Sequence, residues 1–345
     1  MKKFFFFAAL AFGLASCQND TNIFGVEVAP NEEHVEYTIN VDIPELDETR
    51  ALADKGYSDS GEGAIKNSVV ASDDYTLRYI LEIYDKDNKR SEEILYAHTD
   101  AKSATFTPHL IPNRKYTFVV WVDIVPTSTV PATGKAADVH YNTDNLSAVT
   151  IKEEAWSPMD ETRDAFTGTA VVENLDLQNI STITVNCSRP FGKLRIVTTD
   201  MEAVSNLGVT PEYAKVEYTN VPKYSFNAFN GTYTKIDGTF AKSHTMFNIA
   251  DYTTSNAVAG EMTLYTDYFF APEEQVSLGT FTMAVYDTDN AESIITTTSF
   301  PTDIPVKRNT LTTVKGNFLT LQNVNLQVVV ENNDSFDGTG IEREI

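Results

Sequence analysis

Apolar residues in this 345-residue chain alternate with polar ones far more often than they recur at helical spacing. Residues 35–43 set the pattern. Val35, Tyr37, Ile39, Val41 and Ile43 fall on one face, polar residues stand between them, and Pro44 stops the run. A period of two places successive side chains on opposite faces of a strand, so this segment reads as a half-buried β-strand. The same reading predicts strands over 77–84, 93–98, 115–124, 170–173 and 182–187. Further strands are predicted over 193–198, 215–218, 224–229, 262–270, 279–286, 293–299, 311–319 and 324–330. Residues 115–124 are apolar on both faces, which predicts a central strand with Trp121 in the core. Residues 126–135 and 156–167 read as loops, and residues 200–210 have room for a short helix.

The length allows about two domains. The expected fold class is all-β, with two consecutive β-sandwiches over 34–188 and 189–330, joined at Ser188-Arg189-Pro190. A polar, Gly-containing tail over 331–345 is expected to be loose. An internal echo points to a duplicated module. Tyr84-Asp85-Lys86-Asp87-Asn88 is matched by Tyr286-Asp287-Thr288-Asp289-Asn290, each after an alternating strand. Downstream, Phe106…Ile111-Pro112-Asn113-Arg114-Lys115 is matched by Phe300…Ile304-Pro305-Val306-Lys307-Arg308.

The first residues depart from this pattern. Lys2 and Lys3 precede an apolar run over 4–14, and Leu14-Ala15-Ser16-Cys17 closes it. Charge, apolar core and small residues in that order make a secretory signal. The run is too short to span a bilayer, which takes about 20 residues as a helix. Its end resembles the lipobox of bacterial lipoproteins. That resemblance implies a signal peptide over 1–16 and diacylglycerol on the Cys17 thiol. The acylated Cys17 then holds the chain to a lipid bilayer through a polar tether over 17–33. Asp20, just behind it, fits export to the outer membrane and the cell surface.

The chain carries 26 basic and 49 acidic residues, a net charge of −23. Without residues 1–16 there are 24 basic residues against 49 acidic, and the charge becomes −25. Such a surface repels nucleic acid and anionic lipid, so no nucleic-acid partner is expected. With Cys17 acylated, Cys187 is left alone in a strand-like run and reads as inert packing. A body of this size holds together by its core without disulfides.

The sequence offers little catalytic chemistry. Asp85-Lys86-Asp87-Asn88 resembles the start of a calcium loop, but Lys89 and Arg90 stand where an oxygen ligand and Gly belong. In the second copy those positions are Ala291 and Glu292. Both segments read as hairpin turns. His34, His98, His109, His140 and His244 are scattered, with no pair at metal-ligand spacing. Gly56-Tyr57-Ser58-Asp59-Ser60 misses the nucleophile elbow. The expectation is therefore no enzyme, no metal and no cofactor. Trp156, beside Pro158 in a predicted loop, offers a ring to stack on a sugar.

Arg50 stands out by position. It lies in Asp47-Glu48-Thr49-Arg50-Ala51, after a complete strand and within the acidic, non-periodic segment 45–72. Segments this long without periodicity are often functional. A trypsin-like protease needs a basic residue in an extended, accessible loop, and a cut there releases the lipid and the first strand together. A plain surface arginine in an acidic loop is the alternative. The same Asp-Glu-Thr-Arg recurs over 160–163.

Lipobox, tether, one strand, an arginine-bearing loop and two β modules together resemble the fimbrillins, the lipoprotein pilins of type V pili in Bacteroidota. Three patches carry the resemblance beyond layout. They are Arg163-Asp164-Ala165-Phe166-Thr167-Gly168, Arg189-Pro190-Phe191-Gly192-Lys193, and Lys307-Arg308-Asn309-Thr310 with Gly316-Asn317-Phe318-Leu319. The fit is best to fimbrillin-like relatives whose domain has no assigned function. The resemblance implies transthyretin-like, Greek-key sandwiches and assembly by strand exchange. In that scheme an Arg-specific protease cuts at Arg50, and a neighbour's terminal strand fills the groove left behind. Val324, Leu326, Val328 and Val330 lie on one face of the segment that would be donated. The implied partners are further copies of this chain or other pilus subunits, with adhesion as a further role. The competing reading is a non-polymerising surface lipoprotein that binds glycan or host protein.

Overall fold

The computed structural model describes residues 23–24, 34–43, 74–176, 182–249, 260–300, 304–320, 327–331 and 341–344. Two sandwiches built from seven strands each, in the same order, account for most of them. The first consists of β1 (Thr38–Asp42), β2 (Tyr75–Tyr84), β3 (Leu95–Thr99), β4 (Ser103–Phe106), β5 (Tyr116–Pro126), β6 (Ala165–Val172) and β7 (Thr182–Asn186). The second consists of β8 (Phe191–Thr198), β9 (Tyr213–Asn227), β10 (Thr232–Ser243), β11 (Met262–Phe270), β12 (Phe281–Tyr286), β13 (Ile294–Phe300) and β14 (Thr310–Gly316). A short helix, α1 (Met201–Asn206), joins β8 to β9 where one was expected.

The first module pairs a sheet in the order β6-β5-β2-β3 with one in the order β7-β1-β4. The second pairs β13-β12-β9-β10 with β11-β8-β14, and the latter continues into β15 (Gln327–Glu331) and β16 (Ile341–Glu344). In each module the first strand is central in its sheet. β1 runs antiparallel to β4 and parallel to β7. β8 runs antiparallel to β11 and parallel to β14. Every strand of the first module thus has its counterpart seven places later.

That correspondence corrects the register of the sequence echo. The echo equates β2 with β12 and the approach to β5 with the approach to β14. By topology β2 matches β9, and β5 matches β12. What repeats in the echo is turn chemistry. The Asp85 carboxylate accepts backbone N–H groups from Asp87 and Lys89 at 2.9 Å, and Asn88 sits at φ 58°. Asn290 plays a similar role by accepting the Glu292 N–H. Asp and Asn favour such turns because their side chains satisfy the local backbone.

The apolar pattern explains the packing. Leu77, Tyr79, Leu81 and Ile83 of β2 and Phe118, Val120 and Val122 of β5 fill the first core. The intervening residues Ile80, Tyr84, Val119 and Trp121 are also buried, because the second module covers them. There they meet Phe191, Phe226, Phe270 and Leu311. This is why residues 115–124 are apolar on both faces. Trp121 has no exposure and packs edge-on to Tyr141 at 5.2 Å.

Five details differ from the sequence reading, the first being β4, which falls in no expected strand. β9 is one long strand where two were expected, with irregular pairing on either side of Pro222. β10 was not foreseen, because most of its side chains face solvent and show no apolar alternation. β6 begins at Ala165, inside a stretch that reads as loop. The tail contains β16, which pairs antiparallel with β15. Main-chain pairing needs no apolar pattern, so a polar sequence gave no sign of it.

Candidate functional site

Two places concentrate unusual features: the position of β1 and the junction between the modules. β1 holds the middle of a three-stranded sheet. Tyr37, Ile39, Val41 and Ile43 are all buried in the first core. Its backbone pairs with Phe106 to Ser103 on one side and with Thr182 to Asn186 on the other. The Tyr37 N–H donates to Pro108, and the Ile43 N–H donates to Lys102. Removing this strand would strip two neighbours of partners and open an apolar trough. Both its sides are paired, so it is not an edge strand. Cys187 lies beside it, buried, with its thiol pKa pushed up by burial and by Asp42, consistent with inert packing.

The junction is a buried ionic lock. The chain between β5 and β6 leaves the first module and places Trp156 and Met159 in the core of the second. Residues Asp160 to Asp164 follow. Glu161 pairs with Lys193, Arg163 with Asp267, and Asp164 with Arg189. All six side chains are nearly inaccessible. Asp267 on β11 also accepts from Trp156 Nε1 at 2.9 Å, Tyr265 Oη at 2.7 Å, Tyr218 Oη at 2.9 Å and the Tyr268 N–H at 2.8 Å. A buried carboxylate is tolerated only when paired and fully hydrogen-bonded, and this one is.

The first two patches that carry the family resemblance meet residues 307–310 of the third at this junction, while residues 316–319 lie at the far end of the second module. Arg189 stacks over Phe166 at 4.7 Å while its guanidinium holds Asp164. Gly192 lies so close to Lys307 that an added Cβ would stand 2.6 Å from its carbonyl oxygen. Asn309, at φ 53°, donates its N–H to the Phe191 carbonyl at 2.7 Å.

Several expectations meet the structure here. Trp156 is 3% exposed and its indole N–H is spent on Asp267, so it is a core residue and presents no ring to a sugar. Its loop carries it inward because a large apolar ring gains more by filling the second core than by facing water. Arg163, in the second Asp-Glu-Thr-Arg, is locked under the Trp156 ring, and there the tetrapeptide is structural. Cys17, Arg50, Val324 and Leu326 lie outside the described residues. Val328 and Val330 fall in β15, whose backbone pairs with β14 of its own module. Sequence reasoning missed the six paired charges. The only available signal was Arg163, Asp164, Arg189 and Lys193 standing beside Phe, Gly and Pro in two of the patches; Glu161 and Asp267 lie outside them.

His244 adds a pH dependence. It is 2% exposed, lies against Trp156 and Tyr218, and has Nε2 4.0 Å from Asp267. Burial lowers its pKa from 6.5 to about 4, although Asp267 pulls the other way; Arg163 and Lys242 add to the lowering. Between those values the unfolded chain binds a proton that the folded chain refuses. Stability therefore falls as pH drops from about 6.5 to 4, and this contribution levels off below. Urea unfolding across that range is expected to show a shallower pH slope in His244→Phe than in the parent. Equal slopes would exclude His244 as the source.

Two hollows accompany these features. One, about 720 Å³, lies between the β6–β7 edge and the β9–β10 hairpin. Phe229, Tyr233, Asn230, Glu273 and Arg308 line it. Its Arg308 guanidinium lies 5.6 Å from the Phe226 ring and 3.6 Å from Glu273. The other, about 810 Å³, lies at the far end of the second module. Among the described residues no three His, Cys, Asp or Glu side chains are grouped to hold a metal ion, and no helix is long and apolar enough to cross a membrane.

Paired sandwiches with a central first strand define a class of two-module β proteins, and comparison with known proteins places the chain within a family. It belongs to the family of unknown function DUF6562, whose model matches residues 28–344. That agrees with the expected likeness to fimbrillin-like relatives with an unassigned domain. A search of curated proteins returns no match. Among solved structures, the chain is similar to a candidate cell adhesion protein from Bacteroides ovatus ATCC 8483. The two are 14% identical, with a TM-score of 0.51 over 87% of this chain and 98% of that one. A fimbrial assembly protein from Parabacteroides distasonis ATCC 8503 is 14% identical, covering 91% of this chain and 100% of its own, at TM-score 0.44. The fimbrial anchor protein Mfa2 from Porphyromonas gingivalis is 12% identical, covering 87% and 98%, at TM-score 0.38. The first likeness bears on the fold, and the fold is all-β with sandwich modules.

Proposed function

We propose that this chain is a structural subunit of a cell-surface fimbria. It is exported as a lipoprotein acylated at Cys17, freed by cleavage at Arg50, and assembled with further copies or other pilus subunits by exchange of β1. The observation that carries this reading is the place of β1: a central strand whose loss leaves two edges unpaired and four side-chain sites empty. Unpaired edges and an apolar trough are what an added strand satisfies.

The comparison of the two modules supports a donor at the C-terminal end of the second. Seven strands complete the first sandwich, and the second has the same seven plus β15 and β16. The extra strands are not needed to complete their own module, so they can be lent. Val324, Leu326, Val328 and Val330 present four side chains at every second position, matching the spacing of Tyr37, Ile39, Val41 and Ile43. The similar proteins described as adhesion and fimbrial proteins support the same role without defining it.

The alternative, a non-polymerising lipoprotein that binds glycan or host protein, loses Trp156 as its handle. It keeps the cleft beside Arg308, where aromatic faces, carboxylates and a guanidinium could engage sugar hydroxyls. One experiment separates the two. The mature protein is taken from cells, its N-terminus is sequenced, and its assemblies are viewed by electron microscopy. The fimbrial reading expects a start at Ala51 and fibres. A start at Cys17 with monomers under every condition would defeat it and favour the alternative.

A further inference from the structure

Exposed large apolar side chains are few among the described residues: Val171, Leu207 and Ile294. Two of these three line one groove. Leu207 is 73% exposed and Ile294 52%, and Val209, Ile295 and Leu319 continue the apolar surface between them. Single exposed apolar residues are ordinary; here two of them stand on one groove of about 810 Å³.

The strand directions place this groove. Phe191, Phe226, Phe270 and Leu311, near one end of the second module's strands, pack on the first module. The groove forms at the opposite end, where β8 and β14 finish and β13 begins. It therefore faces away from the first module.

The C-terminal segment leaves from the rim of the same groove. The Asp200 carboxylate accepts the Leu319 N–H at 3.1 Å, the Thr320 N–H at 2.7 Å and the Thr320 hydroxyl at 2.7 Å, and it also holds Thr198 Oγ1. The chain is thus clamped at residue 320. Val324, the first position of the proposed donor face, is four residues further on. Four extended residues reach about 14 Å. Whatever molecule takes up that face must sit within that reach of the groove.

We propose that this groove is the docking surface for a second copy of the chain, which seats the end of its first module there while taking up the strand that leaves the rim. The inference rests on the strand-exchange reading and adds a second, separate contact to it. Docking covers Leu207 and Ile294, which explains their exposure in the single chain. The short tether turns a weak apolar contact and a strand insertion into one event, because each raises the local concentration for the other.

The test uses the full chain in its native cells, with Leu207→Glu and Ile294→Glu singly and together. Both positions face water, so export, N-terminal processing and the melting temperature of the monomer should match the parent. Surface fibres should fall at least tenfold in the single variants and disappear in the double. A photo-crosslinker placed at residue 207 of the full chain should join it to peptides from the first module of another copy. Parental fibre numbers in the double variant would overturn the docking surface while leaving strand exchange standing. Crosslinks only to residues 321–326 of the same chain would also overturn it, because the groove would then be covered internally. Absence of fibres from the parent itself would overturn strand exchange, and the groove's role with it.

Discussion

Asp267→Ala is expected to destabilise the protein by about 3–5 kcal/mol, the usual cost of breaking a buried ion pair by removing one partner. Arg163 would remain buried with its charge uncompensated, and Trp156, Tyr218 and Tyr265 would lose the acceptor they share. Burial opposes the charge on Arg163, yet Asp267 holds its pKa above the ordinary value, so the charge persists and the loss is not escaped by neutralisation. Urea unfolding of parent and variant measures the difference. Because the pair links the loop after β5 to β11, both modules should respond, seen as a shift in near-UV signals from Trp121 and Trp156 together. The joint variant Arg163→Met with Asp267→Leu should recover much of the loss, since two apolar groups leave no buried charge behind. A cost below about 1 kcal/mol for Asp267→Ala would mean that water reaches the junction and the lock is not structural.

Removing residues 1–50 is expected to cost even more unless something fills the gap. Four buried side chains leave with β1, and each fully buried apolar side chain stabilises by about 1.5–3 kcal/mol. The trimmed body should therefore melt well below the parent and bind dyes specific for exposed apolar surface. A synthetic peptide of residues 34–45 should recover part of the loss. Ligand present at 100 times its dissociation constant adds about 2.7 kcal/mol to stability. The same peptide carrying Ile39→Asp should do nothing, because Ile39 has no exposure and a carboxylate there would be buried without a partner. A peptide of residues 321–331 should act like the first if the donor is correctly assigned. Trimmed protein that melts with the parent, or ignores the 34–45 peptide, would remove the physical basis for exchange.

How much of this was legible beforehand depends on which force set each feature. The strand at 35–43 was clear because its partners in the sandwich need only an apolar face, and a face shows as alternation. Residues 115–124 showed a buried strand but not what buried its second face. Trp156 was misplaced for the opposite reason. A loop next to Pro158 has no periodicity, and nothing local says that it dives into another module's core. The echo misled because turns are chosen by local backbone chemistry, which recurs wherever a chain reverses. β16 and β10 escaped notice because their pairing is made by main-chain groups.

By itself, then, the chain determined its class, its two-part organisation and the face that β1 presents, and it carries the motifs around Cys17 and Arg50 on which the proposed export and cleavage rest. Each of these is written in contiguous residues, as a period or a short motif. Only the tertiary structure decided that β1 lies between two partners, that the modules share a sevenfold strand order, and that Glu161, Arg163 and Asp164 lock into Lys193, Asp267 and Arg189. Those depend on groups up to about a hundred residues apart, brought together because a charge buried beside an apolar core must find its opposite or stay in water.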